Sequence, residues 1–284
     1  IKRPSDIALA HGNGITHFSA DAQEELEKLA EFAPGAHVCL RVIVEATGAD
    51  WPLSRKFGSS ADMALELMAA AAGLGLTVHG LSFHVGSQTR DPLMWAPVLD
   101  QVADVWRAGR AAGHGLRLLN IGGGFPASYN TEVMGAEGYA RAVMAQVEDR
   151  FPDAAEVMAE PGRGLVAGAG AIAAEVLLVS KKHGNDLHRW VYLDIGKFSG
   201  LAETMDEAIR YRITTSRDHE QTGPCVVAGP SCDSADVLYE KKMYQLPLGL
   251  KAGDRVVIHA CGAYTSTYSS VSFNGFPPLD VVVI

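Results

Sequence analysis

Up to about residue 170 the chain alternates short apolar runs with stretches whose apolar residues recur at helical spacing, the pattern of βα units around a parallel sheet. The runs predict strands over residues 14–20, 38–45, 76–82, 116–121 and 156–159. Between them the spacing predicts helices over 22–32, 60–74, 94–112 and 137–151, the first opened by an Asp21 cap with Glu24 three residues on.

Past about residue 172 the pattern changes to short β-rich runs separated by turns, over 176–182, 190–195, 211–215, 225–228, 255–261 and 279–284. This predicts a β/α-barrel portion over 1–171 and a mixed or antiparallel β-rich domain over 172–284. There are no internal repeats and no low-complexity tract. Five βα units cannot close an eight-stranded barrel, and an open five-stranded sheet leaves an unpaired edge. Either strands are missing from the chain or the sheet is open.

Composition narrows the function. A chain of 284 residues with 48% apolar content can bury a large core, as one barrel or as two domains. A net charge of −9 without a basic tract argues against nucleic acid and anionic membrane as partners and leaves small solutes. Cys39, Cys225, Cys232 and Cys261 form no C-x-x-C pair, no metal is expected, and the chain opens on Ile-Lys-Arg-Pro without a secretory apolar region, so a cytoplasmic location is expected. The longest apolar stretch, 165–179, is too short for a membrane span and contains Glu175.

The informative chemistry lies just past the predicted strands. Phe83-His84-Val85-Gly86-Ser87, Gly122-Gly123-Gly124-Phe125-Pro126 and Glu160-Pro161-Gly162-Arg163 each follow one, so all three can gather at the carboxyl end of a parallel sheet, where α/β proteins put their ligands. Three consecutive glycines let backbone N–H groups approach an anion, Arg163 adds a fork of donors and Ser87 a hydroxyl, a set that suits phosphate. Glu160 and His84 suit a flat heteroaromatic ring, because a carboxylate can keep a ring nitrogen protonated and an imidazole can lie against the ring face. Together they describe a phosphorylated pyridine, pyridoxal phosphate.

Each signal has a plainer reading. A lone histidine after a strand is more often a satisfied polar residue, a glycine-rich turn more often plain loop geometry, and Cys232 alone a small buried hydrophobe. Tyr239, Tyr244 and the tryptophans Trp51, Trp95, Trp106 and Trp190 read as core or interface. Glu203, Asp206 and Glu207 sit in a helix-like stretch and could be no more than a solvated face.

These strings, with Pro52-Leu53-Ser54-Arg55-Lys56-Phe57-Gly58, Gly229-Pro230-Ser231-Cys232-Asp233-Ser234-Ala235-Asp236, Gly262-Ala263-Tyr264-Thr265 and Phe273-Asn274-Gly275-Phe276, resemble the fold-type III, alanine-racemase-like pyridoxal-phosphate decarboxylases over essentially the whole chain, nearest the ornithine/lysine branch. The resemblance implies a partial TIM-type β/α barrel, strands 4–8 of the expected eight, followed by a C-terminal β-rich domain. It implies that His84 stacks on the cofactor ring and that Glu160 pairs with its pyridine nitrogen. Ser87, Gly122, Gly123, Gly124, Gly162, Arg163 and Tyr264 would surround the phosphate. Cys232 would protonate the product carbon, and Asp233, with Asp206 placed twelve positions after the strand-ending Asp194, would meet the substrate's distal amine. Cys232 and Asp233 would reach the pocket from the other subunit, which implies a homodimer with shared sites. Decarboxylation leaves a carbanion that a pyridine ring delocalises only when its nitrogen is protonated, and a thiol of ordinary pKa near 8.5 can donate a proton at neutral pH.

Family members carry the cofactor lysine in an early Tyr-Ala-Val-Lys-like strand, and no lysine here, Lys56 and Lys197 included, stands in that context. The expectation is therefore that this chain alone is inactive. The expected reaction is decarboxylation of L-ornithine or L-lysine to putrescine or cadaverine, in polyamine biosynthesis. The alternatives are a diaminopimelate- or carboxynorspermidine-type decarboxylase, a racemase, and a non-catalytic regulatory homologue of the antizyme-inhibitor kind.

Overall fold

The computed structural model describes the chain apart from residues 47–48 and 52–55, and describes 49–51 in backbone only. The Pro52-Leu53-Ser54-Arg55 part of one motif therefore lies outside the described residues. The rest forms two compact units, residues 1–126 with 134–161, and residues 127–133 with 162–284.

The first unit runs α1 (Pro4–Gly12), β1 (His17–Ala20), α2 (Gln23–Phe32), β2 (His37–Arg41), β3 (Ala49–Trp51), α3 (Ala61–Gly73), β4 (Thr77–Ser82), β5 (Ser87–Thr89), α4 (Ala96–Ala111), β6 (Leu118–Asn120), α5 (Ala136–Arg150) and β7 (Glu156–Met158). Five strands make one sheet in the order β1-β2-β4-β6-β7, every pair parallel, while β3 and β5 form a small antiparallel ribbon. The apolar stripes predicted from helical spacing face this sheet. Leu26 and Leu29 of α2, Leu67 and Met68 of α3, Val98, Val102 and Trp106 of α4, and Val143 and Val147 of α5 bury against Phe18, Val38, Leu40, Leu81 and Leu119 in one core. Trp95 lies in this core and donates to the Tyr139 hydroxyl at 2.8 Å, which donates to the Thr89 carbonyl at 2.6 Å, so the buried polar atoms are paired.

One helix here is additional to those predicted, and one expectation changes. Helix α1 has a single buried residue, Ile7, and too little amphipathic pattern to stand out. Asp21 does not cap α2: Ala22 is the N-cap, without a side-chain bond, and Asp21 Oδ2 instead accepts from the Gly58 N–H at 2.7 Å. The carboxylate satisfies an orphan donor of a turn distant in sequence, a partner that local spacing cannot reveal.

The second unit contains α6 (Gly162–Val166), β8 (Ala171–Ser180), β9 (Arg189–Leu193), β10 (Ile213–Thr215), β11 (Thr222–Ala228), β12 (Val237–Pro247) and β13 (Arg255–His259). The sheet order is β10-β13-β8-β9-β11-β12, with β9–β11 parallel and the other pairs antiparallel, a mixed sheet. Strand β12 escaped prediction because Glu240-Lys241-Lys242, all exposed, interrupt its alternation. Its ends are held by two buried tyrosines: Tyr239 Oη accepts from the Tyr211 N–H, and Tyr244 Oη from the Ile213 N–H, each at 2.9 Å. The predicted strand over 279–284 is coil, with Val281, Val282, Val283 and Ile284 exposed. Residues 162–171 pack with the β-rich unit because the Cys261 N–H donates to the Gly170 carbonyl at 2.8 Å and the Gly262 N–H to the Ala167 carbonyl at 2.9 Å. No helix among the described residues is long and apolar enough to cross a membrane.

Candidate active site

In the first unit, β4, β6 and β7 run parallel and in register, so the loops that follow them leave from the same end of the sheet. The triple glycine is demanded there by backbone crowding. Gly122 and Gly124 have φ of +66° and +105°. A Cβ on Gly122 would fall 2.2 Å from the Phe83 carbonyl oxygen, and one on Gly123 would fall 2.8 Å from the Glu160 carbonyl oxygen and 3.0 Å from His84 Nε2. The three sequence motifs of this unit therefore touch through their backbones. The plain structural reading of the glycines is correct, and it is also what brings His84 and Glu160 together.

Glu160 is exposed, but its geometry is set. Its N–H donates to the Gly122 carbonyl at 2.8 Å, and its Oε1 accepts from Asn120 Nδ2 at 2.7 Å. Asn120 Oδ1 in turn accepts from the Gly122 N–H at 2.9 Å, so one buried amide orients the carboxylate and the first glycine at once. Asn120 went unremarked in the sequence, where the signal is a single amide inside the apolar run Leu118-Leu119-Asn120-Ile121. His84 is half-buried, and its Nδ1 accepts from the Gly86 N–H at 2.9 Å, which leaves Nε2 to carry the proton of the neutral ring. Burial, then the Arg41 charge, hold His84 below the ordinary histidine range against the opposing pull of Glu160. Cys39 is inert: burial pushes its thiol up to about 12. Ser87 is half-buried at the start of β5.

The second unit holds the other expected residues in three places. Arg163 is buried and forms a bidentate pair with Glu203, at 2.8 and 2.5 Å, while also donating to the Tyr129 hydroxyl at 2.6 Å. Burial opposes its charge, and the Glu203 carboxylate more than offsets that, so the guanidinium stays protonated. Its plane lies over the ring of Tyr264, 4.9 Å from the centroid, and a Cβ on Gly162 would come within 3.6 Å of the Tyr264 hydroxyl. Gly162, Arg163 and Tyr264 are thus neighbours.

The acidic stretch is not one solvated face. The helical turn over Ala202–Glu207 breaks at Met205 and Asp206, and its three carboxylates separate. Glu203 turns inward to Arg163, and Glu207 accepts the backbone N–H groups of Glu240, Lys241 and Lys242 at 2.7, 2.6 and 3.2 Å. Asp206 is exposed and pairs with Lys241 at 3.0 Å. Asp206 lines one groove with Lys197, Ser234 and Ala235, beside the turn that carries Asp233.

Cys232 and Asp233 are exposed on a loop organised by Asp236, another residue whose role the sequence did not reveal. Asp236 is buried and accepts from the Ser231 hydroxyl at 2.7 Å and from the Lys197 N–H at 2.8 Å. Asp233 Oδ1 accepts from the Ala235 N–H at 2.8 Å, an Asx turn that fixes the loop tip.

A β/α sheet with a carboxylate and a neutral imidazole on glycine-crowded loops past its strands, joined in sequence to a mixed β-sheet unit, defines a class of cofactor-dependent enzyme. Residues 1–167 match the family described as pyridoxal-dependent decarboxylase, pyridoxal binding domain, and the chain belongs to that family. The lysine/ornithine decarboxylase of Selenomonas ruminantium is 32% identical over 97% of this chain and 68% of its own length. Among solved structures, the lysine/ornithine decarboxylase of Vibrio vulnificus complexed with cadaverine is 33% identical, with a TM-score of 0.82 over 98% of this chain and 72% of that one. The arginine decarboxylase of Paramecium bursaria Chlorella virus bound to agmatine is 28% identical, with a TM-score of 0.84 over 97% and 74%. The fold is accordingly a partial β/α barrel of the alanine-racemase-like kind followed by a β-rich unit. The chain spans about two thirds of the length of the curated relatives it matches, 66% and 68% for two of them.

Proposed function

We propose that the protein decarboxylates L-ornithine or L-lysine to putrescine or cadaverine with pyridoxal phosphate. The observation that carries the reading is Glu160, exposed yet oriented by Asn120, together with a neutral His84 packed against the triple-glycine loop. That donor set fits the cofactor: an accessible carboxylate for a pyridine nitrogen and an uncharged ring to lie against a π-face.

When bound, pyridoxal phosphate supplies the electron sink for the carbanion left by loss of carbon dioxide. Glu160 holds a proton on the ring nitrogen, and Asn120 keeps the carboxylate pointed. His84, kept neutral, stacks without adding a charge that would repel the protonated ring. The proposal assigns phosphate contacts to Ser87, Gly122, Gly123 and Gly124 in the first unit and to Gly162, Arg163 and Tyr264 in the second. Because Arg163 is clamped by Glu203, its contribution includes setting the conformation of Gly162. Cys232 delivers the proton to the product carbon, and Asp206 and Asp233 take the distal ammonium, each charge-assisted contact being worth about 1.5–3 kcal/mol.

The proposal includes a two-fold dimer in which Cys232 and Asp233 complete the partner's site, supported by their exposure on an ordered loop. It also includes a cytoplasmic setting in polyamine synthesis, in keeping with four cysteines of which none forms a disulfide. The test is chromatography of products after incubating the whole protein with pyridoxal phosphate and each of lysine, ornithine, arginine and diaminopimelate. Cadaverine or putrescine is the expected product; agmatine or lysine as the sole product contradicts the substrate assignment.

A further inference from the structure

The amino end of the same parallel sheet carries a cluster that the proposed reaction does not use. His17 opens β1, His37 opens β2 directly opposite it, and His79 lies in the next strand, β4. One nitrogen from each ring lies within 4.8 Å of the others. The His17 and His37 rings stack with centroids 4.6 Å apart, and His79 meets them edge-on at 4.7 and 5.0 Å.

Two features set this apart from ordinary ring packing. His37 Nδ1 and His79 Nε2 are buried with no hydrogen-bond partner among the described residues, and His79 as a whole is only 8% exposed. A buried polar atom left unpaired is destabilising and calls for a ligand to explain it. His17 is arranged as metal-bound histidines are: its Nδ1 is engaged by the Thr16 hydroxyl at 3.0 Å, which leaves Nε2 for a ligand. Glu156, the first residue of β7, adds an oxygen 4.0 Å from His79 Nε2, with its other oxygen 3.9 Å from Arg117.

We propose that His17, His37 and His79, with Glu156 in the fourth position, bind one divalent transition-metal ion of the zinc class. Three imidazoles and a carboxylate favour zinc, cobalt, nickel or copper over the hard, oxygen-seeking calcium and magnesium. Tetrahedral zinc with ligands at about 2.0–2.1 Å sets them about 3.3 Å apart. The cluster must therefore contract, and His17, the exposed member, turns out of its stack to do so. Because the cluster lies at the amino end of the sheet whereas His84 and Glu160 follow its carboxyl end, the ion is assigned no part in decarboxylation. It ties β1, β2 and β4 at their amino ends and stabilises the folded chain increasingly as free metal exceeds its Kd, by RT ln(1 + c/Kd) at a free-metal concentration c.

The test uses untagged protein, stripped with chelator, dialysed against zinc chloride and measured by elemental analysis, calorimetric titration and thermal melting. The expected result is one zinc ion per chain, a melting temperature raised by zinc and lowered again by chelator, and the visible d–d absorption of a tetrahedral site when cobalt(II) replaces zinc. His17→Gln, at an exposed position that tolerates the change, weakens binding at least tenfold, and His17→Gln with His37→Gln abolishes the single site. Substoichiometric zinc in the wild-type protein, or equal binding by a double variant whose circular dichroism is unchanged, overturns the proposal.

Discussion

The carboxyl end of the parallel sheet and the Arg163 pocket of the β-rich unit each hold one carboxylate against one main partner, and they use it in opposite ways. Glu160 is exposed, accepts from a neutral amide, and keeps its charge available. Glu203 is buried, and its charge is consumed by a bidentate guanidinium. A neutral donor orients a carboxylate without cancelling it, whereas a buried arginine cancels it and turns the pair into a structural clamp. Residue type alone does not separate the two roles; the partner does.

Cutting the clamp gives the largest expected change in stability. Arg163→Ala strands Glu203 in a buried site and destabilises the second unit by about 3–5 kcal/mol, whereas replacing both partners by apolar residues of similar volume restores most of that. Denaturant unfolding of the single and double variants checks this; a loss below about 1 kcal/mol for the single variant would mean that the pair contributes only as an exposed ion pair does.

Asp206 lies between the extremes, exposed like Glu160 but paired with Lys241. In the complete enzyme, Asp206→Ala is expected to raise KM for lysine or ornithine at least tenfold, about 1.4 kcal/mol or more, with cofactor binding intact. Steady-state kinetics decide: an unchanged KM in this variant removes Asp206 from substrate recognition.

The smallest effect is a pH response of His84. Its folded pKa is depressed, by burial first and then by Arg41, so the unfolded chain takes up the proton more readily. The stability this residue provides is complete above the ordinary histidine value of about 6.5 and is lost as pH falls from there through the depressed folded value. Melting curves across that window should fall less steeply for His84→Gln than for the wild type; parallel curves would show that His84 is not held neutral.

Much of the first unit was legible because period-2 and period-3.6 patterns alternate cleanly there, and the five predicted strands are the five of the parallel sheet, the short β3–β5 ribbon being the part without a pattern. The glycines and Glu160 were legible as motifs. Asn120 and Asp236 were not, because a buried polar residue that organises a loop leaves a one-letter trace whose partners lie elsewhere in the chain. The separation of Glu203, Asp206 and Glu207 was hidden by their shared helical spacing, which the turn at Met205 and Asp206 breaks. Strand β12 was hidden by its charged middle, and the three histidines at the sheet's amino end by their distance in sequence.

The central claim is that Glu160 is a working carboxylate and not a structural one. The most direct measurement is the turnover of Glu160→Gln in the complete protein, cofactor lysine included, at saturating pyridoxal phosphate, taken together with its melting temperature. The account predicts at least an about hundredfold loss of turnover with the melting temperature and cofactor occupancy nearly unchanged, because the amide keeps the shape but cannot keep the ring nitrogen protonated. Wild-type turnover in that variant, or a collapse of stability like that expected for Arg163→Ala, would contradict it.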